Sequence, residues 1–217
     1  MAFTAFSTSR RSDSAENYEP LVSFSRPKTN HALIRGSLFA PLPQFVKTAF
    51  GEERWPEFLQ RVDPLAARFL DTQLDALSWY PFRVITSAIE AIQQMSRASD
   101  AEVMLRRLAR HNLDRATNLI FRAIFKIGSP EFMVSKSDQV WEKYYSKGRM
   151  QVGNAGRGRA TVQLLDFPEM TPTYSRAVQY AIEAVIEKAG GKLTRSEINL
   201  SAGNGGRVYE FSYAWTV

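Results

Sequence analysis

The stretch WEKYYSKGRMQVGNAGRGRATVQLLDFP, Trp141 to Pro168, decides how this chain folds. It carries paired tyrosines, four glycines and a row of arginines, and three readings compete for it. A phosphate cradle needs its glycines between a strand and a helix N-terminus, so that backbone N–H groups and the helix dipole converge on the anion. Here the glycines fall between two strand-like runs, and no Lys-Ser/Thr pair follows. A nucleic-acid edge would use Arg149, Arg157 and Arg159 on phosphates and stack bases on Tyr144 and Tyr145. Arginines in a hairpin more often form a solvated face. The third reading is a helix with Trp141 and Tyr144 turned inward, a glycine stop at Gly148, and then a change of period from helical to two. Met150 and Val152 alternate with polar neighbours, Thr161 to Leu165 is β-branched and apolar, and GNAGRG between them has the composition of a hairpin turn. We adopt this third reading.

The same change of period organises the rest of the chain. Downstream, TYSRAVQYAIEAVIEKAGG places Ala177, Val178, Ala181, Ile182, Val185 and Ile186 on one helical face, with Gly190-Gly191 as its stop. KLTRSEINLSA and RVYEFSYAWTV then read as two more strands across GNGG. Upstream, Leu38 to Gly148 is helical in pattern. Pro43 suits a first helical turn that stops at Gly51, and Trp55, Phe58, Leu59 and Val62 mark a short second helix. Asp63-Pro64 caps a stripe of Leu65, Phe69, Leu70 and Leu74; a helix restarts after Pro81. Asp100 and Asp114 each read as a cap, and Ser129-Pro130 opens one further helix running through Phe132 to Tyr144. The expected fold class is therefore α+β, a helical N-terminal part followed by hairpin–helix–hairpin with a small antiparallel sheet. Residues 1–30 lack a sustained period and read as a flexible or loosely docked arm, which Phe3, Phe6, Leu21 and Phe24 could pin. Residues 31–217 read as one domain, helical over 31–148 and β-hairpin–helix–β-hairpin over 149–217.

Composition narrows the chemistry. With 217 residues, 44% of them hydrophobic, the chain can bury a sizeable core without staples. Cysteine is absent, which excludes disulfides, thiolate metal sites and a cysteine nucleophile. The net charge of +6 is spread as +1, +3 and +2 over residues 1–30, 31–148 and 149–217 rather than gathered in one stripe. No apolar run approaches the ~20 residues of a membrane helix, and the N-terminal arginines follow a weak apolar start, so we expect a cytoplasmic protein with no membrane span.

LIRGSLFAPL (Leu33–Leu42), SWYPF (Ser78–Phe82), IGSPEFM (Ile127–Met133) and VWEKYYSKGRMQV (Val140–Val152), in this order, resemble an uncharacterised domain family abundant in myxobacteria. That family is similar to the superfamily of haem–nitric-oxide-binding domains, vinyl-reductase-type ligand-binding domains and Golgi transport-particle subunits. The resemblance implies binding of small molecules or partners rather than catalysis. It also implies a haem set to be looked for: a helical histidine as axial ligand and, downstream, Tyr-x-Ser-x-Arg for the propionates. Here that set would be His111, Tyr144, Ser146 and Arg149, with Gly148 at the arginine position and Arg149 one residue late. In a strand, a slip of one residue turns the side chain to the other face. His31 lies in the arm and matches nothing. The cysteines of the vinyl-reductase-type hairpin are missing from INLSAGNGGRVYEFSYAW.

No catalytic constellation stands out. The two histidines are far apart in sequence, and no Gly-x-Ser-x-Gly elbow is present. Glu52-Glu53 and the Asp71/Asp75 pair read as solvated helix surface. In MLRRLARHNLDR, Leu105 and Leu108 would face the core while Arg106, Arg107 and Arg110 point outward, which makes this helix the nucleic-acid candidate. We therefore expect a non-enzymatic protein-binding adaptor or assembly module, acting as a homodimer or in a larger assembly, with no cofactor and no metal site. The alternatives are a sensor for a small apolar or tetrapyrrole ligand and a weak nucleic-acid binder.

Overall fold

The computed structural model describes residues 19–23, 25–116, 125, 128–203 and 206–217. Two antiparallel sheets accompany the helices. Strands β1 (Leu21–Val22), β2 (Leu33–Arg35) and β3 (Ser78–Pro81) form a small sheet in the order β1-β3-β2. The helices are α1 (Leu42–Phe50), α2 (Trp55–Arg61), α3 (Pro64–Leu70), α4 (Phe82–Met95), α5 (Ala101–Ala116), α6 (Pro130–Val134) and α7 (Ser137–Tyr144). Then come β4 (Arg149–Ala155), β5 (Arg159–Leu165), α8 (Pro172–Lys188), β6 (Lys192–Gly203) and β7 (Gly206–Thr216), with the four strands ordered β4-β5-β7-β6. This is the expected α+β class, and the hairpin–helix–hairpin lies where the period change places it.

Local chemistry sets the helix ends. Gly51 ends α1 at φ 100°, a conformation that side chains resist. The Asp63 carboxylate accepts from Leu65 N at 2.8 Å to start α3, and the hydroxyls of Ser129 and Thr171 do the same for α6 and α8. The GNAGRG hairpin narrows to Arg157 and Gly158, both at positive φ, with Gly156 N donating to Arg159 O at 3.0 Å.

Four expectations need correction. Ser78–Pro81 is a strand inside the region read as helical; its first three residues are buried on both faces, so no period-2 alternation marks it. The two-residue β1 and three-residue β2 are too short to show any period. Asp114 does not begin a helix, because α5 runs through it to Ala116. The helix expected from Ser129 to Tyr144 is two, broken at Ser135-Lys136. Residues 1–18, 24, 117–124, 126, 127, 204 and 205, including Phe3, Phe6, Phe24, most of the run after Asp114 and the middle of the expected GNGG turn, lie outside the described residues.

One buried cluster spans both halves of the chain. In α4, Val84, Ile85, Ala88, Ile89 and Ile92 are at most 3% exposed, each larger side chain stabilising by roughly 1.5–3 kcal/mol. Phe82, at the start of α4, meets Phe167 at 4.8 Å and Tyr174 of α8 at 4.7 Å, both edge-on. α8 lies on β6, and α5 lies on α8. Through α8, therefore, α5 is tied to the sheet.

Candidate functional site

Helix α5 presents two different faces. The first, which sequence reasoning turned to solvent, faces α8. Arg106 forms an ion pair with Glu183, whose carboxylate is almost wholly buried, and its guanidinium lies over the Tyr180 ring at 4.1 Å. One turn on, Arg110 grips Glu187 with contacts of 2.9 to 3.2 Å; one further turn brings Asp114 to Lys188. At the other end, the Tyr180 hydroxyl donates to Glu102 at 2.5 Å and holds that carboxyl below its ordinary range. This ladder corrects the outward placing of Arg106, whose guanidinium turns to the buried Glu183, whereas Arg110 stays exposed as expected and meets Glu187 at the surface. Arg107 is exposed.

The second face looks toward α1. His111 is half-buried, its ring 5.5 Å from that of Phe45 and tilted by 59°. Its Nε2 is shielded from solvent and makes no hydrogen bond among the described residues, and the same is true of the neighbouring Asn112 Oδ1. A buried polar atom without a partner costs roughly 1–3 kcal/mol. Two such atoms on consecutive residues make this end of α5 chemically unfinished. Asn112 escaped notice although it continues the Leu105, Leu108 spacing onto the core side of the helix, where a polar residue is itself a signal.

The Tyr144–Arg149 segment is built differently. Tyr144 packs against the core as expected, and Tyr145 goes deeper: it stacks on Trp141 at 3.7 Å and 9°, and its hydroxyl meets that of Tyr174 at 2.7 Å. Burial pushes both hydroxyls well above the ordinary tyrosine range. Tyr144 is half-buried, and burial raises its hydroxyl too. Ser146 Oγ accepts from Leu33 N at 2.7 Å, while Ser146 N donates to Leu33 O at 2.9 Å. Arg149 pairs with Asp166 at 3.1 Å, and the two side chains are 61% and 68% exposed. From the N-terminal arm, Arg26 donates to Tyr145 O at 2.8 Å and to Gly148 O at 2.5 Å. No periodicity could have pointed to Arg26, because its segment has none.

No family model matches the chain, and no curated protein matches it in sequence. Solved structures do match. An oxygen-binding H-NOX domain related to soluble guanylate cyclases, in its oxygen complex, superposes with a TM-score of 0.61 at 10% identity. The match covers 85% of this chain and 96% of that one. The chain has the H-NOX fold. An Fe(II) unliganded H-NOX protein from K. algicida matches at TM-score 0.58 and 13% identity, over 85% of this chain and 97% of the other. A structure described for modulation of haem redox potential by porphyrin distortion matches at 0.60 and 10%, over 83% and 99%. The resemblance drawn from the sequence motifs is thereby supported at the level of fold. The adaptor reading is corrected, because the chains that share this H-NOX fold along almost their whole length are described by haem and oxygen.

The residues present meet the demands of haem only in part. His111 Nε2 has the required freedom, but the propionate set is not assembled. Arg149 is directed to solvent and Asp166, and Ser146 Oγ accepts from the β2 backbone. Position 148 admits no arginine: its φ is +68°, and a Cβ there would stand 2.8 Å from the Phe167 ring. Haem held in the manner the resemblance implies does not fit this chain. Among the described residues no metal-ligating cluster is present, and no helix is long and apolar enough to cross a membrane.

Proposed function

We propose that this chain is a non-catalytic small-molecule sensor domain that takes a small, largely apolar ligand at the seam of α1 and α5. The observation that carries the reading is the buried, unpartnered Nε2 of His111 beside the Phe45 ring, seconded by Asn112 Oδ1. An apolar molecule with one hydrogen-bonding group would complete those atoms and pack on Phe45. The fold supports the reading, since the matching H-NOX structures are described by small ligands. The α5–α8 ladder supplies a rigid coupling, so that displacement of α5 by a ligand is carried to the helix lying on β6. Tests of the reading are native mass spectrometry of the purified chain beside its denatured mass, and an absorption spectrum of the same sample. Extra mass lost on denaturation, without a Soret band, is the expected result. A Soret band from stoichiometric haem would refute the exclusion of haem.

A further inference from the structure

The arm that crosses the Tyr144–Gly148 segment arches over a solvent-open cleft of about 560 Å³, lined by Arg26, Pro27, Lys28, Thr29, Asn30 and Ser146. Two of these side chains are cations and none is acidic. Arg26 spends two donors on the carbonyls of Tyr145 and Gly148, which fixes its guanidinium in place and leaves its remaining N–H donors to the cleft. Ser146 Oγ accepts from Leu33 N, so its own O–H is left to donate. Lys147 holds the opposite end of the arch through Asn30 O. A fixed guanidinium, an ammonium and a hydroxyl donor facing one cleft form the complement of an oxyanion.

We propose that this cleft is a binding site for the carboxylate or phosphate group of a small molecule, with Arg26 as its principal ligand. Where the resemblance calls for an arginine two residues after the serine, Gly148 leaves no room for one, and the guanidinium reaches the same segment from the N-terminal arm. The cleft is a site separate from the α1–α5 seam, since neither His111 nor Phe45 lines it, and the inference does not rest on the sensor reading.

The test uses bare anions, so that its failure is separate from failure of the sensor reading. Inorganic phosphate and acetate are titrated into ¹⁵N-labelled protein at constant ionic strength, with chloride as the reference, and amide shifts of residues 25–30 and 146–148 are followed. Saturable millimolar binding of at least one anion is expected, with the tighter one naming the group. Arg26→Gln should weaken it at least about tenfold. Because Arg26 also holds the arm, Lys28→Gln serves as the second variant: it leaves both carbonyl contacts intact and should weaken binding about three- to tenfold. Absence of saturable shifts for both anions, or affinities unchanged in both variants, overturns the proposal.

Discussion

Replacement of Arg106 by alanine tests whether the α5–α8 ladder is a buried structural device. Glu183 is 2% exposed, while the Arg106 side chain remains 34% exposed. Removal of one partner from a fully buried pair costs about 3–5 kcal/mol, because the other charge is left unpaired in low dielectric. The partial exposure of Arg106 lowers that figure, and loss of its stacking on Tyr180 adds about 0.5–1 kcal/mol. We expect a net loss of roughly 2–4 kcal/mol. For a chain of this length each kcal/mol moves Tm by about 2–4 °C, so the shift is on the order of 5–15 °C. Urea unfolding followed by circular dichroism would read the same loss as a lower midpoint with unchanged slope. A second variant separates charge burial from general damage: Arg106→Met combined with Glu183→Leu removes both charges and keeps the volume. It should recover most of the lost stability, since hydrophobic replacement of both partners is often neutral or better. If Arg106→Ala costs less than about 1 kcal/mol, the value of an exposed surface pair, the ladder is not the device described here.

Gly148→Ala should cost about 1–3 kcal/mol in thermal unfolding, because its φ of +68° resists a side chain and the new Cβ would meet Phe167 at 2.8 Å. Tyr145→Phe and Tyr174→Phe should each cost about 1–2 kcal/mol by leaving one buried hydroxyl alone. The double variant should lose less than their sum, as a double-mutant cycle would show. The Glu102 carboxyl, held below its ordinary value of 4.5 chiefly by the Tyr180 hydroxyl, contributes stability that is fully present above that value and is lost as pH falls through the lower folded value. Glu102→Gln should therefore flatten the acid limb of a stability-against-pH curve, and an unchanged limb would contradict the assignment.

The fold was legible where period and punctuation agree. The change from helical to alternating spacing at Gly148, the cap residues Asp63 and Ser129, and the stops at Gly51 and Gly190 are all local signals, and each marks a real boundary. What escaped was non-local. The strand Ser78–Pro81 exists because β1 and β2 pair with it from either side, and both partners lie more than 40 residues upstream. Arg106 looked solvated because the buried acid that neutralises it, Glu183, stands 77 residues away on α8, a separation invisible to helix periodicity. At the candidate site, His111 was legible as a residue and not as an environment, because its neighbour in space, Phe45, lies far upstream on α1. Arg26 was hidden for the opposite reason, since it lies in a segment with no pattern and gains its role only by reaching Tyr145 and Gly148.

The central claim is that the unpartnered His111 marks a ligand seat, and one comparison addresses it most directly. Native mass spectra of the wild-type chain and of His111→Leu, purified side by side, should differ. The account predicts a noncovalent mass on the wild type that is absent from the variant. The variant itself should be at least as stable as the wild type, because leucine removes a buried atom that lacked a partner. A wild type that is bare, or an adduct that persists undiminished in His111→Leu, would contradict the account.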